Sequence, residues 1–130
     1  MSLQKEIFIL EDNQDLRELY EYILESENYR ITTFATVTAF MEKATHVPDL
    51  YLLDVMLPDG NGLDLCIELK GRSATAKVPV ILISAHKQLH EVKAACPSAD
   101  FIAKPFDIDF LISKISANLA HQSTSPAKES

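Results

Sequence analysis

Features of several protein classes are missing from this chain of 130 residues. No apolar run approaches the length of a membrane span, and no basic segment followed by an apolar one opens the chain, so a membrane protein or a secreted one is not expected. Lys and Arg number 12 against 19 Asp and Glu, without clustering, which disfavours direct nucleic-acid binding. The two cysteines, Cys66 and Cys96, lack metal-site spacing and favour reduced thiols in a cytoplasmic protein.

Short apolar runs alternate with helical patterns along the whole chain. At 130 residues and 47% hydrophobic content, the sequence predicts one compact domain with a core of its own. We predict strands at 6–10, 30–34, 50–54, 80–83 and 99–103. We predict a helix at 13–26, with Leu16, Leu19, Ile23 and Leu24 at helical spacing on its apolar face. We predict further helices at 63–70 and 88–95, a short helix capped by Thr38, and a last one capped by Asp107. This alternation indicates an α/β fold with a parallel sheet covered on both faces.

Polar residues follow four of the predicted strands. Asp54 ends the run 50–53, Glu11 and Asp12 follow the first strand, Ser84 ends the fourth, and Lys104 ends the fifth. In open α/β sheets, ligands bind outside the carboxyl ends of the strands, where the strand order reverses. We therefore expect these five side chains at one rim. Three carboxylates, a hydroxyl and an ammonium group can together hold a divalent cation and a phosphoryl group.

Four segments follow one another in order, and each ends a predicted strand: Ile9-Leu10-Glu11-Asp12-Asn13, Leu53-Asp54-Val55-Met56-Leu57-Pro58, Val80-Ile81-Leu82-Ile83-Ser84-Ala85 and Phe101-Ile102-Ala103-Lys104-Pro105-Phe106. Together they resemble the receiver domain of two-component response regulators, and the resemblance covers residues 6–119. The resemblance implies a flavodoxin-like (βα)5 three-layer sandwich, whose parallel five-stranded sheet has the order 2-1-3-4-5. It places a receiver domain at 1–120 and leaves 121–130 as a disordered tail or the start of a linker.

The resemblance also assigns roles to the polar residues at the rim. It implies that Asp54 is the phosphoacceptor, taking a phosphoryl group from a phosphohistidine of a partner protein. Mg²⁺ would be bound by Asp12, by Asp54 and by the backbone carbonyl of Met56, with Glu11 acting partly through water. Lys104 would pair with Asp54 before the transfer and with phosphoryl oxygens afterwards. Ser84 would donate its hydroxyl to a phosphoryl oxygen.

Signalling is implied by the resemblance as well. Ser84 and Phe101 would form the conformational switch, and the bond between Lys104 and Pro105 would be cis. The expected partners are a sensor histidine kinase or a histidine phosphotransfer protein and an unknown downstream effector, with phosphorylation-dependent homodimers as a further option. The Pro97-Ser98 pair stands where the family usually has a glycine, which predicts a short or loose fourth helix.

Two other functions stay open at this point. A receiver-fold interaction module that is never phosphorylated would be favoured by a missing acid or lysine, but all of them are present. A Mg²⁺-dependent aspartyl-phosphate phosphohydrolase would have its nucleophile after the first strand and a second acid two residues later, where Gln14 stands. We expect a signalling domain rather than an enzyme, with self-catalysed phosphotransfer and autodephosphorylation at most. Each of these rim residues could also have a purely structural role. Asp12 could be a helix cap, Lys104 a surface residue and Ser84 a turn residue.

Overall fold

Five parallel strands form the central sheet of the computed structural model, which describes the backbone from residue 4 to 129 and the side chains from 4 to 120. Numbered in chain order, they are β1 (Glu6–Leu10), β2 (Arg30–Phe34), β3 (Leu50–Asp54), β4 (Val80–Ala85) and β5 (Asp100–Lys104). Their order across the sheet is β2-β1-β3-β4-β5, and every neighbouring pair is parallel. The flavodoxin-like fold with strand order 2-1-3-4-5 is thereby confirmed.

Five α-helices alternate with these strands. They are α1 (Gln14–Ser26), α2 (Val37–Lys43), α3 (Gly62–Lys70), α4 (Leu89–Ala95) and α5 (Ile108–Glu129). A 3-10 turn at His86–Gln88 precedes α4, and a hairpin of two-residue strands, Met56–Leu57 and Gly60–Asn61, precedes α3. Among the helices that the structure describes, none is long and apolar enough to cross a bilayer.

The sheet separates two apolar layers, because successive side chains of a strand point to opposite faces. On one face, Phe8 and Leu53 pack with residues of α2, α3 and α4, such as Phe40 and Leu65. On the other face, the core joins the sheet to α1 and α5 through Ile7, Ile9, Leu52, Ile83, Leu24, Leu111 and Ile115. Both faces of the central strands are therefore buried, and only the strand ends can present polar groups to ligands.

The start of α1 follows directly from the sequence. Asn13 is the N-cap, and its Oδ1 accepts the backbone N–H of Leu16 at 2.9 Å. Since Asn13 fills the capping position, Asp12 is not needed there and its carboxylate is left at the rim. At the end of the chain, the side chain of Asp107 accepts the backbone N–H of Phe110 at 2.8 Å, as the predicted cap of α5 requires.

Two details of the sequence prediction are wrong. The N-cap of α2 is Thr36, whose hydroxyl accepts the N–H of Ala39, whereas Thr38 lies within the first turn and donates to the Asp59 carboxylate at 2.5 Å. On α1, Leu19 was expected on the buried face but is 42% exposed, and the neighbouring Tyr20 is buried instead. Both errors come from a shift of one or two residues in local register, which tertiary contacts decide.

The fourth helix is short, as predicted, because it spans seven residues and ends before Pro97. Cys66 and Cys96 are both free and buried, with their Sγ atoms 2.8 Å apart. The backbone of α5 stays helical to Glu129, within the segment 121–130 where a disordered tail or the start of a linker was expected. The division into a domain at 1–120 and a tail or linker at 121–130 stays a prediction, since the side chains of 121–130 lie outside the described residues.

Candidate functional site

Strand register brings the predicted polar residues to one rim of the sheet. Leu10 of β1 is paired with Leu53 of β3, so that Glu11 and Asp54 follow at the same level. Asp54 is in turn paired with Ile83 of β4, one residue before Ser84. On the next strand, Lys104 ends β5 opposite Ala85. Residues far apart in sequence therefore meet because all four strands run in the same direction.

Three carboxylates form the acidic part of this rim. One ligand atom each from Glu11, Asp12 and Asp54 lies within 4.8 Å of the others. Glu11 and Asp54 are buried, 2% and 3% exposed, while Asp12 is exposed to solvent. Two buried acids close together repel each other unless cations or protons compensate. The cluster therefore attracts positive charge.

Lys104 supplies part of that charge. Its Nζ lies 2.5 Å from Asp54 Oδ2 and 3.9 Å from Glu11 Oε1. Partial burial would lower the pKa of Lys104, but the hydrogen bond to Asp54 and the nearby carboxylates outweigh it, so that the pKa is raised. The ammonium group thus stays charged at the rim. The peptide bond from Lys104 to Pro105 is cis.

The neighbouring negative charge also changes the pKa of Glu11. Burial first, and then the adjacent Asp54 carboxylate, raise the pKa of Glu11 to about 7, although the Asn13 N–H and Lys104 lower it. Its Oε2 accepts the N–H of Asn13 at 3.2 Å, whereas its buried Oε1 accepts no hydrogen bond. A buried carboxylate oxygen without a donor is a ready ligand for a cation.

Asp54 is held at both oxygens. Its Oδ1 accepts the backbone N–H of Met56 at 2.9 Å, and its Oδ2 accepts the hydrogen bond of Lys104. The Met56 side chain is exposed, and its backbone turns around the end of β3 into the hairpin before α3. The carboxylate of Asp54 is consequently fixed in direction before any ligand arrives.

Neither of the two expected switch residues is part of the acidic cluster. Ser84 is buried, and its Oγ donates to the carbonyl of Ala85 at 3.4 Å, a weak contact within the same strand. Phe101 is partly buried against the core that contains α4, and Lys93 Nζ lies 5.9 Å from its ring centroid. Their assignment as a switch stays a prediction.

The sequence reading missed two residues that support the site. Arg17 on α1 donates through Nη1 to the backbone carbonyls of Glu11, at 2.9 Å, and of Asp12, at 3.0 Å. It therefore holds the segment that bears two of the acids. A Cβ on Gly62 would lie 2.2 Å from the carbonyl oxygen of Asp54, so only glycine lets α3 begin this close to β3. The Asn-Gly pair at 61–62 marked a turn, but nothing in the sequence indicated what it approaches.

Fold and site together define an open, doubly wound α/β domain with an acidic cluster and its lysine at the carboxyl rim, which is the architecture of a signalling receiver. The chain belongs to the response regulator receiver domain family, because residues 7–116 match the pattern of that family. The relative in Staphylococcus epidermidis, the response regulator ArlR, is 38% identical over 119 residues, which are 89% of this chain and 53% of that protein. This chain thus spans about half the length of the curated relatives it matches.

Solved structures give the same result. The receiver domain of a signal transduction histidine kinase from Syntrophus aciditrophicus superposes with a TM-score of 0.82 at 29% identity, covering 90% of this chain and 91% of that one. NtrX from Brucella abortus superposes with a TM-score of 0.84 at 28% identity, covering 98% of this chain but 30% of that one. The chain is therefore a two-component signalling domain by fold and by family.

Proposed function

We propose that Asp54 accepts a phosphoryl group from a phosphohistidine of a partner protein, and that the modified domain relays a signal by changing shape. One arrangement carries this proposal. The buried carboxylate of Asp54 belongs to a cluster of three acids and also forms an ion pair with the ammonium group of Lys104. A structural salt bridge would not need Glu11 and Asp12 beside it. A receiver of phosphoryl groups needs cations on two sides of its nucleophile.

The residues of the cluster fit Mg²⁺. This ion prefers hard oxygen ligands and is commonly bound through one or two carboxylates while it keeps several waters. Asp12 and Asp54 would hold it with the backbone carbonyl of Met56, and Glu11 would act partly through water. Glu11 Oε1 accepts no hydrogen bond from the described residues and Asp12 is exposed to solvent, and both observations favour this assignment. Bound there, Mg²⁺ would supply charge neutralisation and orientation of the phosphoryl oxygens.

The chain's own residues account for the remaining chemistry. An oxygen of the Asp54 carboxylate attacks phosphorus, a P–O bond forms, and the P–N bond to the donor imidazole breaks, leaving the imidazole to take up a proton. The ammonium group of Lys104, which pairs with the Asp54 carboxylate before the transfer, then pairs with a phosphoryl oxygen and stays positively charged throughout. Ser84 donates its hydroxyl to another phosphoryl oxygen, and Ala85 beside it leaves space for the donor.

Signal output would follow from the new charge at Asp54. A phosphoryl group that recruits the Ser84 hydroxyl would draw the end of β4 toward Asp54 and make room for Phe101 to move inward, which is a population shift between two packings. The donor is a sensor histidine kinase or a histidine phosphotransfer protein. The downstream effector, phosphorylation-dependent dimers and the cytoplasmic location expected from the sequence stay predictions.

The phosphohydrolase alternative receives no support from the geometry. The side chain of Gln14, which stands where that class needs a second acid, donates to Glu18 on the surface of α1 at 3.0 Å. It does not enter the rim. An interaction module without phosphorylation would not require the burial of Glu11 and Asp54 next to one another, which is electrostatically costly.

A phosphorylation assay tests the proposal. The protein is incubated with an acyl phosphate of low molecular mass, with Mg²⁺ or with EDTA, and its intact mass is measured together with that of Asp54→Asn. We expect one phosphoryl adduct on the wild type, only with Mg²⁺, and none on the variant. A wild type that gains no adduct while binding Mg²⁺ would favour the interaction module. Multiple turnover on phosphate esters would favour the phosphohydrolase.

A further inference from the structure

Two buried polar atoms, one in the acidic cluster and one on α1, have no hydrogen-bond partner among the residues that the structure describes. They are the hydroxyl oxygen of Tyr20 and Oε1 of Glu11, on side chains of residues that are 1% and 2% exposed. Leaving such groups unpaired costs free energy, and nearly all buried polar groups in folded proteins are paired. Two of them, one on α1 and one on the segment just before it, suggest that they share a partner that is not a protein group.

Tyr20 occupies an unusual position for a polar side chain. It lies on the buried face of α1, where the neighbouring buried residues Ile23 and Leu24 are aliphatic. Its ring is stacked on Phe106, with centroids 6.4 Å apart and planes inclined by 11°. Phe106 follows Lys104 by two residues, so the stack joins α1 to the segment that carries the rim lysine. Tyr20 as a whole is 1% exposed, so its hydroxyl is shielded from solvent.

The hydroxyl of Tyr20 lies within electrostatic range of two carboxylates of the site, those of Glu11 and Asp54. Burial first, and then the negative charges of Glu11 and Asp54, raise the pKa of Tyr20 above its usual value. The group is therefore a neutral hydroxyl that can donate one hydrogen bond and accept others. A buried water needs two or more polar partners, and the Tyr20 hydroxyl with Glu11 Oε1 provides two.

We propose that Tyr20 is a positioning residue of the metal site, whose hydroxyl holds the Glu11 carboxylate through one buried water. This inference rests on the proposed function, because it assumes that the acidic cluster binds Mg²⁺. The Asn13 N–H already holds Glu11 Oε2, so the bridge would fix the second oxygen and hence the plane of the carboxylate. Groups that orient a metal ligand in this way commonly change metal affinity by about 10–100-fold when they are removed.

The variant Tyr20→Phe removes the hydroxyl and keeps the ring on Phe106. We expect its Kd for Mg²⁺, measured by titration calorimetry, to rise about tenfold. Tyr51→Phe is the matched control, because Tyr51 is also buried and its pKa is also raised by burial. Tyr51 lies in the core on the opposite face of the sheet, in contact with Phe8 and Phe40. Its Kd for Mg²⁺ should equal that of the wild type.

Two further measurements distinguish this positioning role from a buried Tyr20 hydroxyl that has no part in Mg²⁺ binding. If the Tyr20 hydroxyl were merely buried and unpaired, Tyr20→Phe would unfold at a higher temperature without Mg²⁺ and would bind Mg²⁺ unchanged, and that result would overturn the proposal. The second is a double-mutant cycle with Glu11→Gln. If Tyr20 acts through Glu11, the loss caused by Tyr20→Phe shrinks in the Glu11→Gln background; an undiminished loss contradicts the bridge.

The outcome for Tyr20 is distinguishable from the outcome for Asp54. A wild type that binds Mg²⁺ but gains no phosphoryl adduct refutes the proposed phosphoacceptor role, while the Kd values of the Tyr20 and Tyr51 variants still decide the bridge. A wild type that binds no Mg²⁺ at concentrations up to the millimolar range refutes both.

Discussion

The ammonium of Lys104 lies 2.5 Å from the Oδ2 atom of Asp54, although the two residues belong to strands that are not neighbours. Asp54 ends β3 and Lys104 ends β5, so the contact passes over the end of β4, where Ser84 lies. This ion pair places a positive charge on one side of the acidic cluster. The expected hydroxyl donor, Ser84, thus lies on the strand between the two strands that carry the nucleophile and its cation.

Replacing the lysine should weaken the fold and strengthen metal binding. Removing one partner of a fully buried ion pair costs roughly 3–5 kcal/mol. Because the Lys104 side chain is 35% exposed, we expect Lys104→Met to lower the free energy of unfolding by only about 1–2 kcal/mol without Mg²⁺. Without the competing ammonium group, the Kd for Mg²⁺ should fall several-fold. Urea denaturation and calorimetry measure the two effects.

The exposed Lys77 offers the matched control for this substitution. Lys77→Met should leave both the unfolding free energy and the Kd for Mg²⁺ near the wild-type values. If Lys104→Met and Lys77→Met behaved alike, the ion pair at the rim would have no energetic role, contrary to the account given above.

Gly62 should tolerate no side chain. A Cβ there would lie 2.2 Å from the carbonyl oxygen of Asp54, so either α3 or the end of β3 must move. We expect Gly62→Ala to lower the unfolding free energy by about 1–3 kcal/mol, the range typical of overpacking, and to weaken Mg²⁺ binding. Gly71→Ala is the control, since its Cβ would meet the carbonyl oxygens of Ile67 at 3.4 Å and Glu68 at 3.6 Å, which are ordinary contacts. Thermal unfolding should show this variant to be neutral or slightly stabilised.

Arg17 should matter for the metal site even though it contacts no carboxylate there. It donates to the backbone carbonyls of Glu11 and Asp12, and Arg17→Met would release the segment between β1 and α1. We expect a Kd for Mg²⁺ raised several-fold and an unfolding free energy lowered by about 1 kcal/mol, the usual value for a lost hydrogen bond. Arg72→Met, which breaks an exposed ion pair with Glu68 on the far side of the fold, should leave the Kd unchanged.

Asp100 provides a test of pH dependence away from the site. Burial alone would raise its pKa, but hydrogen bonds from Lys114, Asn118 and the Phe101 N–H outweigh it, so that the pKa is lowered. A lowered pKa means that the folded state binds fewer protons than the unfolded one. The resulting stability is present above the unfolded pKa, near 4, and is lost as the pH falls through the folded value.

The variant Asp100→Asn should therefore be less stable than the wild type at pH 7. The difference in unfolding free energy should be about 1 kcal/mol or less, because the ion pair of Asp100 with Lys114 is partly exposed. Chemical denaturation at a series of pH values should show this difference shrinking below pH 4. Asp109→Asn, at an exposed position of α5, should show no such convergence. A difference for Asp100 that stayed constant down to pH 3 would contradict the assignment.

The fold could be predicted because local signals and global topology agree. The run Leu50–Asp54 is apolar on both faces and ends in an acid, which indicates a central parallel strand and the level of the rim at once. The placement of Asp54 and Lys104 at that rim needed only the rule that parallel strands end on the same side. The short α4 followed from Pro97, since proline cannot continue a helix.

Other features could not be predicted because their causes are distant in sequence. Thr38 was expected as the cap of α2, but the Asp59 carboxylate of the hairpin accepts its hydroxyl and leaves capping to Thr36. The importance of Gly62 depends on the backbone of β3, and that of Tyr20 on a stack with Phe106. Such contacts appear only once the chain is folded.

The central claim is that the phosphoryl group is carried by Asp54, and mapping the modified residue tests it most directly. After incubation with the acyl phosphate and Mg²⁺, borohydride reduces an aspartyl phosphate to the corresponding alcohol, which leaves a permanent mass change at the modified position for tandem mass spectrometry. We predict this change at Asp54 alone, dependent on Mg²⁺. Modification at another residue, or no modification while Mg²⁺ is bound, would contradict the account.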